Sequence, residues 1–174
     1  MDAPSPLTPP EIARLIRSST AAIEREVQAA PAPLLAFHHG EREWCIKEVL
    51  GHLIEADRRG FGGRVQLLLE RDHPDLASWN QEEVAGERHD CEVDADQLLF
   101  ELLSQRERYL ELVAGLQPTD LSRSGRHPKV GELSVGDIIT EWVYHDRNHL
   151  KQLLANVQAY VWPHLGAAQG FAGE

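Results

Sequence analysis

The segment from Tyr144 to Gln152, YHDRNHLKQ, holds His145 and His149 four residues apart, with an acid, Asp146, directly after the first. On a helix, side chains at that spacing share a face with Cβ atoms roughly 6 Å apart, so two imidazoles can grip one ion. The pattern nearly reproduces H-E-x-x-H, in which the glutamate acts as base toward a metal-bound water. Asp146 is one carbon shorter and, one residue after His145, is turned about 100° from the ligand face. It is better suited to supporting the site, by orienting a ligand or by pairing with a base such as Arg58 or Arg147.

A third candidate ligand is His52, in WCIKEVLGHLIEAD. Like His145 and His149 it flanks the apolar side of its helix, where an imidazole without a partner is costly to bury. Three nitrogen ligands leave a position open for water or substrate, which suits a reactive rather than a structural site. Histidines satisfied within a core are the competing explanation. His38, His39, His73, His89, His127 and His164 fall in expected loops, where exposed histidines usually do nothing specific. Glu48 and Glu141, each one turn before a candidate ligand, and Gln152, just after His149, could support the ligands or be solvated helix residues. Trp44, Trp79 and Trp142 could line a pocket or fill the core. Cys45 lies seven residues before His52, about 10 Å along a helix axis and too far for a direct ligand. Two cysteines give no disulfide framework, and Cys45 and Cys91 are expected to be buried and inert.

These residues must be positioned by helices. Thr8 and Glu11 form a capping-box pattern around Pro9 and Pro10, and Ile12, Leu15, Ile16, Ala22, Ile23 and Val27 recur at three and four toward Ala29. Pro31 and Pro33 stop this helix, and a loop follows. A second helix is expected from about Trp44 to Glu70, with Val49, Leu50, Leu53, Ile54 and Asp57 on one side. Gly60, Gly62 and Gly63 could kink its later half. Residues 71–94 form a long polar connection with room for one short helix. A third helix begins near Asp94 and carries Leu98, Leu99, Leu102, Leu103, Leu110 and Val113. After a turn-rich stretch, in which HPKVGEL alone hints at strand, a fourth opens at Ser134 with Asp137 three residues on. Four long amphipathic helices predict an all-α fold, a four-helix bundle, with a flexible lead over residues 1–8 and one domain over 9–174.

The chain has 174 residues and a formal charge of −11, which argues against nucleic acid or anionic lipid as partner. It shows no secretory leader and no apolar run of about 20 residues, so a cytoplasmic protein without a membrane span is expected.

WCIKEVLGHLIEAD, with tryptophan, a glutamate four on and then histidine-leucine, and IITEWVYHDRNHLKQLL, with its H-D-x-x-H-x-x-Q pattern, together resemble the DinB-like (DinB/YfiT) superfamily. PDLASWNQEEVAGER and GRHPKVGELSVGDII are similar to its segments between helices, and the match runs from about Ala13 to Val157. The resemblance implies a four-helix bundle with an unusual, mirror-type connection, and a divalent metal (zinc, nickel, manganese or iron) on His52, His145 and His149. It also implies a small-molecule substrate, a low-molecular-weight thiol cosubstrate in some relatives, and a tendency to homodimers. Expected first is a metal-dependent enzyme, a thiol-dependent transferase among the options. The alternatives are a non-catalytic binding or stress-response module and a zincin-like hydrolase.

Overall fold

The computed structural model describes residues 5–171. Residues 1–4 of the expected lead, and 172–174 at the other end, lie outside the described residues, whereas Ser5 to Thr8 form an exposed segment without helix. Seven α-helices follow, α1 (Pro9–Ala29), α2 (Ala32–Leu35), α3 (Ile46–Arg59), α4 (Gly62–Glu70), α5 (Gln81–Arg88), α6 (Ala95–Ala114) and α7 (Val135–Val161). A two-stranded antiparallel hairpin, β1 (Ser124–His127) and β2 (Gly131–Ser134), precedes α7.

The long helices begin where side chains can satisfy their free N–H groups. Glu11 accepts the backbone N–H of Thr8 at 2.8 Å, and at α7 Ser134 and Asp137 bond reciprocally at 3.1 and 3.0 Å. At α6, Asp94 accepts from Asp96 and Gln97. The helices bury their apolar stripes against one another, among them Ile12, Ile16 and Ile23 of α1, Val49, Leu50 and Leu53 of α3, Leu98, Leu102 and Leu110 of α6, and Ile138, Ile139 and Leu153 of α7. Each such side chain contributes roughly 1.5–3 kcal/mol when removed from water.

Helix α1 packs mainly on α6 and α7, and α3 packs on the same two. The ring order is therefore α1, α6, α3, α7, with α1 diagonal to α3 and α6 diagonal to α7. Diagonal connections must cross an end of the bundle; residues 30–45 and 115–134 make these two crossings, and the hairpin sits in the second of them. Among the described residues no helix is long and apolar enough to cross a membrane.

Three expectations change. The single helix expected over residues 44–70 is broken at Gly60 and Phe61 into α3 and α4. A side chain at position 62 would overlap the Tyr109 ring, and one at 63 would overlap the Arg58 carbonyl, so the glycines permit a close break rather than merely loosening a helix. The loop expected after α1 contains the short α2, while the strand hinted at in HPKVGEL is present, with His127 ending β1, a turn over 128–130, and Gly131 to Leu133 in β2. Cys45 and Cys91 are not inert thiols: they form a disulfide linking the N-terminus of α3 to the turn after α5. That pairing joins residues 46 apart in sequence, a proximity the bundle creates and local pattern does not reveal.

Candidate metal centre

Helix α3 carries His52 and helix α7 carries His145 and His149, and because α3 packs on α7 the three rings meet inside the bundle. One ring nitrogen from each lies within 4.8 Å of the others. The centroids of His149 are 4.4 Å from those of both His52 and His145. His52 Nε2 faces His145 Nε2 at 3.1 Å. For tetrahedral zinc with Zn–N bonds of about 2.0–2.1 Å, adjacent ligand nitrogens stand about 3.3 Å apart, close to what this pair already spans. Of two facing ring nitrogens only one can donate to the other when both rings are neutral, whereas an ion between them accepts both lone pairs. The donor set therefore fits a divalent metal, and the three histidines could hold one.

The surroundings keep the rings neutral, the form that ligates. Burial, reinforced by His149, lowers His52 to about 3. Burial, with His149, His52 and Arg106 adding to it, lowers His145 to about 2. His149 is also lowered by burial, against an opposing hydrogen bond that it donates to Gln152. That contact, His149 Nδ1 to Gln152 Oε1 at 2.9 Å, makes Nδ1 the donor and leaves Nε2 for the cluster. Trp44 packs on His52 with ring centroids 4.8 Å apart and stacks on His149 at 6.4 Å. Its backbone carbonyl is held by the fully buried Asn156 at 3.0 Å, and Asn156 in turn bonds His39.

Asp146 does something else. Its carboxylate is fully buried and bound by Arg106 of α6 at 2.9 and 2.7 Å. The same guanidinium holds Asp57 of α3 at 2.8 and 3.3 Å and donates to Thr20 of α1 at 2.9 Å. One cation thus joins all four long helices. Neither Arg58 nor Arg147 is the partner of Asp146: Arg58 pairs with Glu55 and Glu101, and Arg147 donates to Ser19 and to the Leu15 carbonyl. With two carboxylates sharing one guanidinium, burial and the charge of Asp146 raise Asp57 to about 6 despite Arg106.

Of the other supporting candidates, Gln152 meets His149, whereas Glu48 and Glu141 hydrogen-bond to none of His52, His145 and His149 among the described residues. Glu48 accepts the Cys45 backbone N–H and faces His38. Glu141 lines a cleft of about 1090 Å³ whose wall includes His52 and His145. The break at Gly60–Phe61 shapes this cleft: Phe61 stacks on Trp142 at 5.3 Å and meets His145 edge-on at 4.8 Å. Trp142 is fully buried and belongs to the core, whereas Trp79 lines the cleft and stacks on His52 at 5.8 Å. Arg64, His127 and Lys129 also face the cleft. Sequence spacing missed Arg64 and His127, because a helix break and a hairpin bring them in.

Comparison with known proteins agrees with this architecture. The DinB superfamily model matches residues 7–153, and the chain belongs to that superfamily. Proteins of Oceanobacillus iheyensis and Bacillus mycoides, each named "Putative metal-dependent hydrolase", are 24% identical over 119 residues, 68% of this chain and 68% of theirs. YfiT from Bacillus subtilis, described as a probable metal-dependent hydrolase with an unusual four-helix bundle topology, superposes with a TM-score of 0.81 at 14% identity. The match covers 93% of this chain and 94% of that one. That likeness establishes the shared four-helix fold, and the diagonal α1–α3 and α6–α7 relations describe its connectivity here.

Proposed function

We propose that the protein is a metal-dependent enzyme that acts on a small molecule, with His52, His145 and His149 as the ligands of one divalent ion and hydrolysis as the first reaction to test. The observation that carries this reading is the convergence of three imidazoles from two helices, two of which, His52 and His145, line an open cleft. Zinc, nickel, manganese and iron all accept such ligands. The bound ion would supply Lewis acidity toward a substrate oxygen or toward a coordinated water or thiol.

The chain's own residues divide the remaining work. Gln152 fixes the tautomer and orientation of His149, while Trp44 packs on His52 and Phe61 meets His145 edge-on. Asp146 is sequestered by Arg106 and is unavailable as a base, which disfavours the zincin mechanism. Glu141 is the acidic side chain of α7 that borders the cleft, and it is the residue we assign to accept a proton there. Arg64 and Lys129 give the cleft lining a positive character suited to a polar or anionic substituent, and Trp79 offers an apolar face.

A turnover screen with metal-loaded protein tests the proposal: esters and amides alone, then electrophiles with a low-molecular-weight thiol. Metal-dependent conversion that disappears in His52→Ala supports an enzyme, and the need for thiol distinguishes transfer from hydrolysis. Stoichiometric metal with no conversion in either arm favours the non-catalytic binding module.

A further inference from the structure

A second group of ligating side chains surrounds the Cys45–Cys91 pair, outside the histidine centre. Cys45 is fully buried at the N-cap of α3, and Glu48 lies in the first turn of that helix. His38 comes from the segment after α2, and Cys91 from the 3-10 turn after α5. His38 Nε2 stands 2.8 Å from Glu48 Oε2 and 3.8 Å from Cys91 Sγ. One ligand atom from each of the four residues lies within 4.8 Å of all the others.

This juxtaposition does not depend on the sulfur–sulfur bond alone. Asp90, nearly fully buried, sits over Gly51 of α3, where a side chain would overlap its carboxylate. Arg88 grips Asp90 at 3.1 and 2.9 Å and reaches Glu55 of α3 at 2.9 Å. Lys47 of α3 donates to the Val93 carbonyl at 2.7 Å. The turn carrying Cys91 is therefore seated on α3 from both sides of the cysteine. If the disulfide opens, these contacts keep the two sulfurs neighbours.

We propose that in the dithiol state Cys45, Cys91, His38 and Glu48 bind a zinc-class divalent ion, forming a second and structural metal site. Two thiolates, an imidazole and a carboxylate complete four coordination positions with soft and borderline donors, the closed arrangement of structural zinc. The three-histidine centre, in contrast, offers three ligands and an open cleft. Reaching the dithiol state requires a two-electron reductant. A phosphine breaks the sulfur–sulfur bond and becomes its oxide with the oxygen of one water, whose two protons end on Cys45 and Cys91. Binding of the ion then releases those two protons to solvent. The disulfide described above is the oxidised, metal-free form of the same group.

Anaerobic titration of the full chain with cobalt(II) tests this, because thiolate ligation produces an intense near-ultraviolet sulfur-to-cobalt charge-transfer band that imidazole ligation lacks. Phosphine-reduced wild type should show the band. His149→Ala, reduced, should keep it, so its presence does not rest on the histidine centre. Oxidised wild type should lack it and reduced Cys91→Ser, with one thiolate left, should show at most about half its intensity per cobalt; the oxidised protein gives a control without a substitution that could impair folding. His38→Ala should weaken cobalt binding at this site at least tenfold. Absence of the band in reduced wild type, with both thiols free by thiol titration, would overturn the proposal. A band of undiminished intensity in Cys91→Ser would also overturn it.

Discussion

Replacing Arg106 with methionine isolates the charge at the centre of the bundle, since methionine fills much of the same volume with a flexible chain. The substitution removes five hydrogen bonds: two to Asp57, two to Asp146 and one to Thr20. It leaves two carboxylates at 0% exposure with no cation between them. Breaking a buried ion pair by removing one partner costs about 3–5 kcal/mol. With a urea slope near 2 kcal/mol/M, a loss of about 4 kcal/mol lowers the midpoint by about 2 M. The loss depends on pH with a definite sign. Asp57 is already raised to about 6, and without Arg106 both carboxyls move further up, so the folded variant takes up protons before the unfolded chain does. Its deficit should therefore be larger at pH 8 than at pH 5. Converting Asp57 and Asp146 to asparagine in the Arg106→Met background should recover part of the loss. Urea unfolding followed by circular dichroism at both pH values measures all of this. A midpoint for Arg106→Met within about 0.25 M of wild type, about 0.5 kcal/mol at that slope, would refute the claim that this guanidinium joins the four helices.

Other outcomes follow from the site. The histidines keep folded values below their unfolded value of about 6.5, so metal-free protein loses their contribution as pH falls from about 6.5 toward 3. Wild type should accordingly show a steeper stability slope over that window than His145→Leu, by up to about 1.4 kcal/mol per pH unit. Gln152→Leu frees the Nδ1 of His149 and should weaken metal binding about 10–100-fold, read by competition with a chromophoric chelator. Glu141→Gln should lower kcat by about 10²-fold or more while bound metal is unchanged, and equal turnover would remove Glu141 from proton transfer.

How far the sequence disclosed this arrangement can be judged residue by residue. The caps at Thr8 and Ser134 and the histidine pair on α7 are local patterns, and local patterns survive folding. His52 was recognisable because it flanks the apolar stripe of α3. Arg106 left a trace that spacing alone did not resolve: it stands four residues after Leu102 and four before Leu110, both buried, so its charge falls on the inward face of α6. Asp57 likewise continues the stripe of α3. What no pattern carried was their partnership, since Arg106 meets Asp57 and Asp146 across three helices. Likewise Cys45 finds Cys91, and Arg64 and His127 reach the cleft, only after α4, the hairpin and the turn beyond α5 are in place. Glu48 illustrates the opposite failure: being one turn from His52 suggested support for the ligand, but its carboxylate is drawn to the Cys45 N–H and to His38.

The central claim is that His52, His145 and His149 hold one ion together. It is tested most directly by the metal content of protein purified from metal-controlled cells and kept oxidised, so that Cys45 and Cys91 stay paired, for wild type and for each of the three histidine-to-alanine variants. One divalent ion per wild-type chain, lost in all three folded variants, is the predicted result. A wild type without stoichiometric metal after reloading, or folded variants that retain it in full, would contradict the assignment.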